Sequence, residues 1–194
     1  MSKHKKHPTQ AGSNNHNALG IDKTIVLVGL MGVGKTTVGR RLAKRLGLDF
    51  VDSDHEIEKA ADMSVADIFD KYGEDDFRSG ERRVIARLLE GSPQVVATGG
   101  GAFINEETRA LIKEAGLSIW LDADIDVLVE RTSRRDTRPL LKAGNPEEIL
   151  RRLAEERTPI YAQADYKIKS CVGPHEKVVD HIIQALKSHG GYDA

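Results

Sequence analysis

Gly29, Gly34, Lys35 and Thr36 fill every fixed position of the pattern G-x-x-x-x-G-K-[ST], directly after the apolar run Thr24-Ile25-Val26-Leu27-Val28. No other feature limits the possible folds so strongly. A strand must enter a glycine-bent loop, and a helix with an apolar face at Val38, Leu42, Ala43 and Leu46 must leave it. The glycines let the backbone curl so that successive N–H groups point inward at phosphate oxygens, where a Cβ would obstruct them. A helix starting near Lys35 adds the positive end of its dipole to the same anion site. Lys35 is placed to reach the β- and γ-phosphates, and Thr36 to offer its hydroxyl to Mg²⁺. The nucleotide-facing set on this loop is Gly32, Val33, Gly34, Lys35, Thr36 and Thr37. The chain is expected to bind a nucleoside triphosphate.

From residue 21 onward short apolar runs alternate with helical patterns, which predicts a parallel sheet with helices on both faces. Strands are expected at 24–28, 49–51, 94–97, 118–121 and 166–168. Helices are expected at 35–46, 54–61, 64–90, 105–115, 125–132, 146–164 and 175–187. Ser64, Asn105 and the Pro146-Glu147-Glu148 run are helix-opening signals. Residues 1–20 are polar and rich in Lys, His, Asn, Gly and Ser, so they read as a disordered tail before one domain at 21–194. His4, His7 and His16 are solvated tail residues on this reading. The charged stretch 133–145, with Pro139 and Gly144 and no periodicity, reads as a mobile surface loop.

Composition narrows the function classes. The 30 acidic and 29 basic residues nearly cancel, which gives no basic field for nucleic acid. A single cysteine, Cys171, excludes an internal disulfide framework and a cysteine-based metal cluster. No apolar stretch approaches a membrane span, and no signal-peptide core stands at the N-terminus, so a soluble cytoplasmic protein is expected.

In parallel-sheet proteins, ligands gather at the carboxyl ends of the strands, so the residues after each strand belong together. After the second expected strand come Asp52, Ser53 and Asp54; after the third come Thr98, Gly99, Gly100 and Gly101. Two carboxylates two residues apart can divide labour, one toward a metal and its waters, the other toward an acceptor hydroxyl. Asp54 can equally be a cap for the helix that follows. The glycine run has two readings as well, close approach of a ligand or a tight turn. The third strand ends without an aspartate, which shifts metal duty toward Thr36 and Asp52. Arg138, before Pro139 in the loop, could swing onto a transferring phosphate and exclude water. Arg78 has Glu81 three residues on along the same helical face, and its planar fork suits a substrate carboxylate.

Taken together, these strings resemble the shikimate kinases. The resemblance rests on Gly29 through Arg40, on Phe50-Val-Asp-Ser-Asp-His-Glu-Ile-Glu58, on Ser64 through Phe69, and on Gly73-Glu-Asp-Asp-Phe-Arg78 with Glu81. It continues through Thr98 to Gly101, Trp120-Leu-Asp122, Arg138-Pro-Leu-Leu141, and Arg157 leading to Tyr161 and Ala164. It implies a three-layer α/β P-loop kinase with a five-stranded parallel sheet in the order 2-3-1-4-5, acting as a monomer. The implied reaction is ATP plus shikimate giving ADP and shikimate 3-phosphate, in aromatic amino-acid biosynthesis, with Mg²⁺ as cofactor. Lys35 would polarise the transferring phosphate, Thr36 would bind Mg²⁺, and Asp52 would act on it through water. Asp54 would hold the attacking hydroxyl, whether or not it also takes the proton. Arg78 and Arg157 would clamp the carboxylate, with Gly99, Gly100 and Gly101 against the ring. Arg138 would close the lid, while Arg131 and Pro174 would flank adenine. The acceptor segment would be about 52–82 and the lid about 133–145.

Rival readings are a gluconate kinase on the same scaffold, a nucleoside monophosphate kinase, and a nucleotide-dependent switch. The set Asp54, Arg78 and Arg157 argues against the first, and the Asp-x-Asp and Phe-Arg pairs against the second. The missing Asn-Lys-x-Asp sequence argues against a guanine-reading switch.

Overall fold

A computed structural model describes residues 19–133, 145–170 and 173–190. Arg138, Cys171, nearly all of the expected lid and residues 1–18 lie outside the described residues. The elements run β1 (Thr24–Val28), α1 (Lys35–Leu46), β2 (Asp49–Asp52), α2 (Ser53–Ala61), α3 (Val65–Glu90), β3 (Gln94–Ala97) and α4 (Glu106–Ala115). They continue with β4 (Gly116–Asp122), α5 (Ile125–Ser133), α6 (Pro146–Tyr161), β5 (Tyr166–Lys169) and α7 (His175–Gly190).

The five strands form one parallel sheet in the order β2-β3-β1-β4-β5, the order that the family resemblance implies. Every residue of β1 is buried, which explains why it reads as a continuous apolar run rather than an alternating one. The chain leaves β1 toward β2 through α1 but crosses from β3 to β4 in the opposite sense through α4. Right-handed crossovers therefore put α1 and α4 on opposite faces. The packing agrees: α1 lies against α7, and α3 against α4. The end of β1 is thus the topological switch point where a crevice opens, and the phosphate-binding loop occupies it.

Local chemistry explains most element ends. Ser64 accepts from the Asp67 N–H and Asn105 from the Thr108 N–H, starting α3 and α4. Asn145 does the same for α6 through Glu147 N–H, with Pro146 at the first position. Gly47, at φ 68°, closes α1. Leu19, which composition assigns to the tail, is buried with Ile21 in the main core. A second cluster, Ile57, Ile68, Phe77, Val84, Leu88 and Val96, fastens α2 and α3 to β3.

Two expectations need correction. The stretch 64–90 is not one continuous helix, because Gly73 stands at φ 81° and ψ 179° and breaks the rod before Arg78. The last helix turn expected at 162–164 is absent. Pro159 weakens the end of α6, and the bonding tightens there, with Gln163 N–H donating to Ile160 O and Ala164 N–H to Tyr161 O. Smaller shifts extend β4 to Gly116–Asp122 and start α2 at Ser53.

Candidate active site

The phosphate-binding loop is held open by its glycines. Gly29, Gly32 and Gly34 have φ of 132°, 83° and 99°, the left-handed range that side chains resist. A Cβ on Gly29 would lie 2.5 Å from Leu121 O, so β4 also excludes any larger residue there. Lys35 is buried and folds back over the loop, its Nζ donating to Gly29 O at 2.7 Å and Leu30 O at 3.0 Å. Thr37 is the third residue of α1, and its carbonyl accepts from Arg41 one turn on.

Beside the loop, Thr36 Oγ1 donates to Asp52 Oδ2 at 2.8 Å. Asp52 Oδ1 accepts from Asp54 N–H at 3.2 Å, so Asp52, not Asp54, caps α2. This removes the helix-cap explanation of Asp54. The Asp54 carboxylate instead turns toward the third strand end: a Cβ on Gly99 would lie 2.7 Å from Asp54 Oδ1 and 3.3 Å from Glu81 Oε1. Both of those oxygens are buried and have no hydrogen-bond partner within the protein. Burial, with the neighbouring Asp52 charge second, pushes the Asp54 carboxyl up from 3.8 to about 6.

The glycine run gathers the remaining groups. Built as alanine, Gly101 would run its Cβ into the Arg78 guanidinium, and Gly100 would face Arg157 Nη1 at 3.8 Å. Arg157 Nη1 donates to Gly100 O at 3.2 Å, and the Tyr161 hydroxyl donates to the same oxygen at 2.5 Å. Thr98 Oγ1 donates to Leu27 O at 2.9 Å and fixes the run beside β1. Gly101 O also accepts from Ile104 N–H, so the run makes a turn as well as a close approach. Arg78 Nη1 donates to the fully buried Glu81 at 2.7 Å, and its Nε and Nη2 reach Glu74. Burial raises the Glu81 carboxyl above the usual range, with the Arg78 charge opposing. The phosphate-binding loop, the Asp54 carboxyl and the guanidinium groups of Arg78 and Arg157 thus meet around Gly99, Gly100 and Gly101.

Residues 31–187 match the shikimate kinase family. The chain belongs to that family.

A shikimate kinase from Paramagnetospirillum magneticum is 58% identical over 166 residues, covering 86% of this chain and 85% of the relative. One from Bradyrhizobium diazoefficiens is 56% identical over 173 residues, covering 89% and 83%. Among solved structures, the shikimate kinase from Acinetobacter baumannii in complex with shikimate superposes with a TM-score of 0.83 at 41% identity. It covers 87% of this chain and 94% of that one. The fold, the enzyme class and the P-loop kinase character expected of a shikimate kinase therefore hold for this chain, and the rival readings fall away.

Arg131 and Pro174, the residues expected to flank adenine, belong to α5 and to the loop before α7. Arg131 Nη1 donates to Val33 O at 3.3 Å, which sets its guanidinium beside the phosphate-binding loop. Pro174 is exposed just before α7, and the next residue, His175, packs on Gly34. Burial and the nearby Arg131 and Arg41 charges lower the His175 pKa. Thr36 and Asp52 supply only oxygen, the donor type Mg²⁺ prefers. Among the described residues no group of three or more His, Cys, Asp or Glu could hold a metal alone. A hydroxyl and a carboxylate therefore suit an ion that takes its other ligands from phosphate and water. Sequence reasoning left out Glu81, Tyr161 and Ser170 as site residues. Glu81 carried a signal in its spacing from Arg78, and Tyr161 in its place four residues after Arg157 in the resemblance; Ser170 arrives only through tertiary contacts.

Proposed function

We propose that the chain transfers the γ-phosphoryl group of ATP to the 3-hydroxyl of shikimate, giving ADP and shikimate 3-phosphate. The observation that carries this reading is the grouping of Asp54, Arg78 and Arg157 around a glycine run beside Lys35. An acceptor with a carboxylate at one end and a hydroxyl at the other matches two guanidinium groups and one buried carboxyl. Arg78 and Arg157 hold the carboxylate, and Gly99, Gly100 and Gly101 leave room for the ring. Asp54 receives the hydrogen bond of the attacking hydroxyl. With its pKa near 6 it is ionised at neutral pH yet basic enough to take the proton as the new O–P bond forms.

On the donor side Lys35 exchanges its loop carbonyls for phosphate oxygens, and the backbone from Gly32 to Thr37 receives the rest. Arg131 and Pro174 flank the base. Thr36, and Asp52 through water, would hold Mg²⁺, which when bound would supply charge neutralisation at the phosphates. Arg138 in the 133–145 lid closes over both substrates and keeps water from acting as acceptor. Catalysis is mainly positioning and charge neutralisation. On this reading the chain acts as a monomer, as the family resemblance implies, in the cytoplasm. Residues 52–82 form the acceptor segment.

The test is the position of the new phosphate ester. Product made with Mg²⁺-ATP and shikimate should show phosphorus–proton coupling to the carbon-3 hydrogen alone. Coupling at another ring position would mean that Asp54 does not orient the attacking hydroxyl.

A further inference from the structure

Ser170, directly after β5, is fully buried and reaches the phosphate-binding loop across 137 residues of sequence, its Oγ donating to Val33 O at 3.1 Å. Its own N–H donates to Asp122 O, which ties it to the end of β4. Arg131 Nη1 approaches the same pair, at 3.3 Å from Val33 O and 3.4 Å from Ser170 Oγ. On the outer side the His175 ring closes over the next residue: a Cβ on Gly34 would lie 3.3 Å from His175 Cε1.

The peptide joining Val33 to Gly34 is trans and planar, so its C=O and N–H point in opposite directions. Drawing the Val33 carbonyl toward Ser170 and Arg131 therefore aims the Gly34 N–H the other way, toward the loop interior. Gly34 is free to rotate because it has no side chain, and at φ 99° it adopts a conformation with no intrinsic preference to hold it. The clamp supplies that hold. We propose that Ser170 is a positioning residue for phosphate binding, fixing the Val33–Gly34 peptide so that the Gly34 N–H is already directed at a phosphate oxygen before ATP arrives. An amide aimed in advance costs no reorganisation when charge develops on that oxygen. The inference rests on the ATP reading, and the choice of probe separates the two.

The experiment compares wild type with Ser170→Ala and Ser170→Thr, using ATP and inorganic tripolyphosphate, which has the phosphates without the base. Ser170→Ala should raise the KM for ATP and the Kd for tripolyphosphate together, by about five- to tenfold, the effect of one buried hydrogen bond. The KM for shikimate should stay unchanged, and Ser170→Thr should restore both donor values. In the wild type, the Gly34 amide proton resonance should move downfield on adding tripolyphosphate, a reading that needs no variant to fold. Weaker ATP binding with unchanged tripolyphosphate binding would place the effect at the base through Arg131 and overturn the proposal. So would a Gly34 amide that does not respond. Wild-type protein that binds neither probe would overturn the ATP reading itself.

Discussion

Asp54 trades stability for chemistry. Its carboxyl ionises near 6 in the folded protein against 3.8 ordinarily. The folded chain therefore holds that proton more tightly than the unfolded chain does. Stability is gained as pH falls from above 6 toward 3.8, and the full cost is present above 6. A shift of that size corresponds to at most about 3 kcal/mol at neutral pH. Asp54→Asn removes the buried charge in the same shape, so its Tm at pH 7.5 should rise by several degrees, read by calorimetry. Its turnover should fall by about 10²-fold or more, with ATP binding retained. A variant with near-normal turnover would show that Asp54 is dispensable to the acceptor site. For the wild-type enzyme, kcat/KM for shikimate should drop about tenfold per pH unit below about 6, because the free enzyme's carboxyl is then protonated. A flat profile down to pH 5 would contradict this. At this scale the sequence was informative about position where a motif fixes spacing, as for Gly29, Gly34 and Lys35 in the phosphate-binding loop. Whether Asp54 was cap or catalyst was not legible, because it depends on which of two neighbouring carboxylates turns toward Gly99.

Between elements, close approach decides what a position tolerates. Gly39 lies on the buried face of α1, where an added Cβ would meet the Phe50 ring at 2.6 Å and Leu27 Cδ1 at 3.2 Å. Alanine is the better helix former by about 1 kcal/mol. Forcing α1 away from β2 and β1 should cost more, about 1–3 kcal/mol. Gly39→Ala should thus lower the denaturation midpoint in urea, and an unchanged or raised midpoint would show that Phe50 can yield. Most of the described strands and helices were legible, because the central strands β1, β3 and β4 are largely buried and read as apolar runs, and several helix starts carry caps. Two ends were not. Gly73 looks like one tolerated glycine in a helical pattern, yet its positive φ breaks the rod and sets the direction of the segment that carries Arg78. Pro159 sits inside a pattern whose periodicity continues to 164, and it lets the bonding tighten first.

For the whole molecule, one of the four crossovers, β1 to β2, runs one way along the sheet and the other three run the opposite way, and that order puts the phosphate-binding loop at the switch point. The groups proposed for the acceptor come from α2, α3, the turn after β3, and α6, and those proposed for the base come from α5 and the residue just before α7. No short stretch of sequence reports that convergence; the motif strings indicate it only because they occur together and in order. Among the described residues, no helix is long and apolar enough to cross a membrane. The central claim is that this convergence makes a site for one carboxylated acceptor beside ATP. ADP release from Mg²⁺-ATP by the purified protein, with and without shikimate, tests it most directly. A large shikimate-dependent rate over a small background is the predicted result. Intact ATP binding with no stimulation by shikimate would contradict the acceptor site described here.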